Sequence, residues 1–160
     1  MIHKSSSPDV TIPDVTVPAF VLRHSERLAD KPAIIDGPTG RTLTYGQLAL
    51  AVRRVATALH RLGFRKGDVF AIYSHNVPEY AVVFNAVAML GGIVTTANPL
   101  CTAAELTKQL KDCRARFLIT APPRVPPNWL KRTAGLGCAP GRKGFRAISL
   151  SFCQFSSSDP

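Results

Sequence analysis

Several common functions are set aside by what this chain does not contain. Its four cysteines, Cys101, Cys113, Cys138 and Cys153, form no C-x-x-C pair, and no histidine stands at ligand spacing from them. That argues against a zinc module and against a secreted disulfide framework, and leaves ordinary free thiols. The first ten residues are polar, and the Pro-rich stretch behind them has no apolar stretch of the secretory kind, so a cytoplasmic location is expected. No long hydrophobic run survives intact either. The most apolar stretch, Tyr80 to Ala97, is interrupted by Asn85 and by Gly91-Gly92, which split it into a helix-sized and a strand-sized piece. It reads as buried core and not as a membrane span.

Acidic residues are scarce, 10 against 20 Lys and Arg, and the shortage is uneven. The first 120 residues hold 14 basic against 9 acidic side chains, whereas the last 40 hold 6 against Asp159 alone. The net charge of +10 thus marks an unusual tail as much as a functional surface.

What is present is a chain of well-punctuated elements. A Pro-rich lead-in, residues 1–16, carries Pro8 and Pro13 and ends at Thr16, an N-cap for a helix from about Val17 to Ala29. Val17, Val21, His24 and Leu28 fall on one stripe of that helix. Ala33–Ile35 and Arg41–Thr44 read as hairpin arms around the turn Asp36 to Gly40.

The sequence predicts three later helices that each open with a capping box, in which cap and N3 side chains satisfy each other's backbone donors. Thr44-x-x-Gln47 opens a helix with Leu48, Val52, Val55, Leu59 and Leu62 inward, Arg53, Arg54, His60 and Arg61 outward, and Gly63 as its stop. Asn76-x-x-Glu79 opens a helix through Tyr80, Phe84, Val87 and Leu90 that is apolar nearly all round. Such a helix expects cover on more than one face. Thr102-x-x-Glu105 opens a third, with Leu106 and Leu110 inward and Lys108 and Lys111 outward.

Between them stand strand-length apolar runs at Val69–Tyr73, Ile93–Thr96 and Arg116–Ile119. Strands alternating with helices over short connections predict an α/β fold, a parallel sheet with crossover helices. After Thr120 the pattern stops. Ala121-Pro-Pro-Arg-Val-Pro-Pro127, a Gly-rich basic run and a Ser-rich end predict a tail, residues 121–160, that is largely disordered, with at most one short strand or turn within Arg146–Phe155.

Residues 17–120 resemble the N-terminal region of the adenylate-forming superfamily, nearest its 4-coumarate–CoA ligase-like acyl-CoA synthetases. The resemblance rests on Lys31-Pro-Ala-Ile-Ile-Asp36 with Arg41-Thr-Leu-Thr-Tyr-Gly-Gln-Leu48, and on Leu62-Gly-Phe-Arg-Lys-Gly-Asp68 running into Val69–Tyr73. It continues through Asn76-Val-Pro-Glu-Tyr80, Gly91-Gly-Ile-Val-Thr-Thr-Ala-Asn-Pro99, Thr102-Ala-Ala-Glu-Leu106 and Arg116-Phe-Leu-Ile-Thr120. Each piece alone is weak; their order and spacing carry the likeness.

The resemblance implies an incomplete N-terminal domain of a ligase that activates a carboxylic acid with ATP and Mg2+ and passes the acyl group to coenzyme A. It also implies that the phosphate-gripping Ser/Thr/Gly-rich loop ending in Pro-Lys-Gly, and the lysine of a mobile C-terminal domain, are not among these residues. No catalytic, cofactor-binding or metal-binding residue is therefore assigned, and this chain by itself is expected to bind no cofactor and to be inactive.

Other residues weigh less as sites. Gly135 to Gly144 lacks a Ser/Thr run and matches neither G-x-x-x-x-G-K-[ST] nor G-x-G-x-x-G, so it reads as a basic linker. His75 follows a strand at its carboxyl end, where open α/β sheets bind ligands, yet no acidic neighbour in sequence orients it. Cys101 precedes a helix N-terminus and reads as an inert thiol. His24 and Ser25 are adjacent on a helix and cannot form a nucleophile–base pair. The arginine face reads as solvated, with no specific nucleic-acid recognition.

Two alternatives to the silent synthetase segment remain: a non-catalytic module pairing with a full-length ligase, or with itself, through an exposed sheet edge, and a basic anion-binding protein.

Overall fold

The computed structural model describes residues 7–8, 10–120 and 146–149. The expectations for Gly135–Gly144, and for the rest of the tail outside 146–149, fall on residues not described.

Helix α1 (Val17–Leu22) is capped as expected: the Thr16 hydroxyl accepts the Ala19 amide at 3.4 Å. It is much shorter than the predicted Val17–Ala29, because Ser25 and Ala29 bond back only three residues, to Leu22 and Glu26, and the chain proceeds as turns. The predicted stripe is also rotated. Val17 (63% exposed) and Val21 (49%) face outward, while Pro18 and Ser25 are buried.

β1 (Pro32–Ile35) and β2 (Thr42–Thr44) form an antiparallel hairpin, closed by Asp36 N–H to Arg41 O at 2.8 Å and Gly40 N–H to Asp36 O at 2.7 Å. The left-handed Gly40, at φ 70°, makes that turn possible.

α2 (Tyr45–Arg61) begins with the expected reciprocal box. Thr44 N–H donates to Gln47 Oε1 at 3.0 Å, and Gln47 N–H donates to Thr44 Oγ1 at 3.3 Å. α3 (Pro78–Met89) does not begin as the Asn76-x-x-Glu79 spacing predicts. Pro78 occupies the first turn, where its fixed φ suits the helix and its missing N–H costs nothing, so Val77 becomes the cap and makes no side-chain bond. Glu79 then sits too early to close a box. It pairs instead with Arg41 of the hairpin, at 2.6 Å.

β3 (Val69–Tyr73), β4 (Ile93–Ala97) and β5 (Phe117–Thr120) are parallel, with β3 between the other two. α4 (Ala103–Asp112) joins β4 to β5. A fourth strand, β6 (Arg146–Ser149), lies parallel along β5, from Phe117 opposite Arg146 to Thr120 opposite Ser149. Within the tail expected to be mainly disordered, this segment is therefore ordered by the backbone donors and acceptors that β5 leaves open on that side.

The period-2 alternation of the strands splits the core. Phe70, Ile72, Phe117 and Ile119 face Leu59 of α2 and Val83 and Val87 of α3. Ala71, Ala97 and Leu118 face Leu106 and Leu110 of α4. α3 is covered twice, by the sheet through Val83 and Val87 and by α2 through Val82 and Ala86, as its all-round apolar character requires. Phe84 of the same helix lies at its outer margin, 38% exposed.

α4 carries a pH-sensitive cap. The Thr102 backbone N–H and hydroxyl both donate to Glu105 Oε2, at 2.7 and 2.8 Å, and hold the carboxyl below its ordinary value of 4.5. A carboxyl depressed on folding contributes stability above its unfolded pKa and loses it as pH falls through the folded one. A carbon-13 titration of the Glu105 carboxyl should therefore give a midpoint below that of an unfolded peptide, with the first turn of α4 loosening as acid passes it. A midpoint at or above 4.5 would contradict the cap.

Candidate functional site

The chain leaves β3 for α3 on one face of the sheet and leaves β4 for α4 on the other. Adjacent strands whose connections part in this way open a crevice at their carboxyl ends, the place where open α/β sheets bind ligands. Here it is edged by Tyr73 to Asn76 after β3, by Asn98 to Cys101 after β4, and by Thr120 at the end of β5.

The loop after β4 is tightly built. Asn98 Oδ1 accepts the Leu100 amide at 2.9 Å, and the Asn98 carbonyl accepts the Cys101 amide at 3.0 Å and its thiol at 2.8 Å. The Tyr73 hydroxyl crosses from β3 and points its proton at the carbonyls of Pro99 (3.1 Å) and Cys101 (3.3 Å). Burial, and secondarily the Cys101 thiol, raise the Tyr73 pKa above its ordinary 10.0, so the phenol stays a neutral donor. This clasp holds the two lips of the crevice together. Only the position of Tyr73 at a strand end signalled it in the sequence.

On the β3 side Ser74 is buried, and its hydroxyl donates to the His75 carbonyl at 2.9 Å. His75 Nε2 is shut off from solvent and has no hydrogen-bond partner among the described residues. Asn76, free of the capping duty expected of it, is exposed. His75 and Cys101 therefore both belong to this crevice, whereas His24 and Ser25 do not. His24 Nε2 accepts Arg23 Nε at 3.0 Å, and Ser25 is buried beneath the turn. No group of three or more His, Cys, Asp or Glu suited to a metal ion occurs among the described residues.

Among the described residues neither lip contributes a lysine or arginine, nor a run of Gly-rich backbone donors of the kind that surround phosphates. At the opposite end of the sheet Arg116 Nη1 grips both carboxylate oxygens of Asp68, at 2.7 and 2.6 Å, and Asp68 also accepts the Arg65 amide at 2.8 Å. That cluster ties the strand starts together.

A family model described as AMP-binding enzyme matches residues 21–143 of this chain. The chain belongs to that family. The AMP-binding match runs past Thr120, through the Pro-rich stretch and into the Gly-rich basic run as far as Lys143, beyond the last element that carried the sequence resemblance.

Among curated AMP-binding relatives, the chain is 42% identical over 120 residues to 4-coumarate–CoA ligase 3 of Arabidopsis thaliana, covering 74% of this chain and 21% of that protein. It is 38% identical over 121 residues to 4-coumarate–CoA ligase 1 of Petroselinum crispum, covering 75% of this chain and 22% of the relative. The chain thus spans about a fifth of the length of the curated relatives it matches.

Among solved structures it resembles a benzoate CoA ligase from Burkholderia xenovorans LB400, with a TM-score of 0.68 at 27% identity over 84% of this chain and 26% of that one. It shares its fold with the anthranilate CoA ligase AuaEII in complex with anthranoyl-AMP, with a TM-score of 0.74 at 24% identity over 86% of this chain and 25% of that one. The expected class, an N-terminal α/β layer of an adenylate-forming enzyme, is the observed one.

No helix among the described residues is long and apolar enough to cross a membrane.

Proposed function

We propose that this chain is the N-terminal scaffold portion of an ATP-dependent acyl-CoA synthetase of the 4-coumarate–CoA ligase type, and that these 160 residues alone do not catalyse adenylation. The observation that carries the reading is the 42% identity to a 4-coumarate–CoA ligase over 120 residues. In the whole enzyme ATP would supply the adenylate of the activated carboxylate and coenzyme A would accept the acyl group. This chain's part is structural: a rigid parallel sheet whose carboxyl-end lips, clasped by Tyr73, border the space that further residues complete. The absence of cationic groups from both lips supports the silent reading, because a triphosphate needs them.

Incubating the purified chain with ATP, Mg2+, coenzyme A and a panel of aromatic carboxylic acids tests it. The expected result is no carboxylate-dependent pyrophosphate above a no-protein control. Steady, carboxylate-dependent release by the chain alone refutes the silent reading.

A second reading, a module that pairs with a full-length ligase, is favoured by one feature. The outer side of β4 has no neighbouring strand among the described residues, and Ile93 on it is 54% exposed. Mixing the chain with such a ligase on a sizing column should shift its elution if that reading holds; unchanged elution at micromolar concentrations rejects it.

A further inference from the structure

β4 is an outer strand of the sheet, with no strand beyond it among the described residues. A bare strand edge invites pairing with another chain, and proteins usually blunt it with a lysine, a proline or a bulge. β4 has none of the three. Ile93-Val-Thr-Thr-Ala97 is uncharged, free of proline and mostly β-branched, and its register against Val69–Tyr73 runs without a slip.

The ladder fixes which backbone groups of β4 face outward. Ile93 N–H donates to Asp68 O at 2.9 Å, on the β3 side. Backbone groups alternate in direction along a strand, so Ile93, Thr95 and Ala97 bond toward β3. Val94 and Thr96 then turn their N–H and C=O to the open side.

That side is not bare. Gln109 of α4 donates from Nε2 to the Thr96 carbonyl at 2.9 Å and to Thr95 Oγ1 at 3.1 Å. A carbonyl can only accept, so it is the amide nitrogen that stands there. Leu106 and Leu110, on either side of Gln109 in the helix, are buried against the sheet and hold the carboxamide within reach of the edge.

We infer that Gln109 guards the β4 edge against strand pairing with a second copy of this chain. Two β4 strands related by a two-fold axis at Thr95 run antiparallel, with Val94 of each opposite Thr96 of the other. Val94 and Thr96 are the outward-facing residues, so this register would use every open backbone group of both strands. It needs each Val94 N–H to reach the Thr96 oxygen of the other copy. Gln109 already holds that oxygen, and its carboxamide lies in the path of the incoming strand. A strand from a full-length ligase would have to displace the same group, but the guard itself depends on neither reading of the function.

Freeing the Thr96 oxygen on both copies should tighten pairing by about 10- to 100-fold, the worth of two ordinary hydrogen bonds. The test is sedimentation velocity of the full chain over a micromolar concentration series, with a thermal melt of each variant. The expected result is a monomeric wild type, a reversible dimer for Q109A, and a monomer again for Q109A/T96P. Proline at 96 removes an outward N–H that pairing requires and no bond to β3. Q109A/T96K gives the same readout without a proline, by placing a charge on the edge. Q109K, which keeps a donor beside the carbonyl, should stay monomeric.

A Q109A chain as monomeric as wild type overturns the inference. So does association of Q109A that neither T96P nor T96K reverses, which would trace it to loosened folding. A wild-type dimer abolished by T96P alone overturns it too, because the edge would then be unguarded. Open-ended assembly of Q109A in place of a dimer contradicts the two-fold register.

Discussion

Phe117→Ala should destabilise the chain by about 3–5 kcal/mol, the range for emptying a fully buried aromatic site. Phe117 is wholly buried. Its ring lies edge-on to Phe64 at 5.2 Å between centroids and stacks on Phe70 at 5.9 Å with 7° between planes. Phe64 and Phe70 meet edge to face at 5.9 Å, so the three rings close a cluster contributed by two neighbouring strands and the α2–β3 connection. Truncating one ring opens a void that the other two, Phe70 held by the sheet and Phe64 wedged in the α2–β3 connection, cannot collapse into. Against a typical domain stability of about 5–15 kcal/mol, such a loss leaves little cooperative folding. Urea titration followed by circular dichroism checks it, and a change below about 1 kcal/mol would mean that the cluster is not packed as described.

Gly92→Ala is the second large effect, through crowding. A Cβ at Gly92 would fall well inside contact distance of Phe64 Cζ, 2.5 Å from its Cε1 and 2.9 Å from Val87 Cγ1. Phe64 is pinned by Phe70 and Phe117 and has nowhere to move, so the expected cost is about 1–3 kcal/mol or more. The same change at Gly37, where a Cβ meets nothing within 4 Å, should be nearly silent. Phe64→Leu introduced with Gly92→Ala should recover part of the loss, a coupling that thermal melts of the two single variants and the double variant will measure. Full additivity of the two changes would contradict the contact.

Gly92 also shows how far the sequence could be read. The Gly91-Gly92 pair was recognisable as a helix stop, and Gly91 serves as one, at φ 70°. That Gly92 makes room for Phe64 depends on a contact 28 positions away, which no local pattern reports. The boxes at Thr44 and Thr102 were legible because both halves of each lie within four residues of one another and compete with nothing else. At Asn76 the same spacing was overruled by Pro78, whose ring settles the helix start before a side-chain cap can. The α1 stripe failed because six residues are too few for periodicity to fix which side faces the core; the packing against α3 decides it. Strands β3, β4 and β5 were legible within a residue or so at each end, whereas β6 was legible only as one short strand or turn within Arg146–Phe155, since its pairing along the edge of β5 is not a local feature.

Of the candidate crevice, the sequence singled out His75 by its place at the carboxyl end of a strand and Cys101 by its place before a helix N-terminus. The Tyr73 clasp was not legible because it joins the end of β3 to a loop more than twenty residues further along. The family resemblance was readable as an ordered series of short motifs, each marking a turn, cap or glycine stop that the fold requires in place.

The scaffold claim is tested most directly by grafting. Residues 17–120 should replace the matching N-terminal segment of the Arabidopsis 4-coumarate–CoA ligase to which the chain is 42% identical, and the purified chimera should be assayed for 4-coumarate-dependent pyrophosphate release. If this segment is an adenylate-forming scaffold, the chimera folds and releases pyrophosphate at a rate within a few tenfold steps of the parent. A soluble, cooperatively melting chimera with no such release would contradict the account.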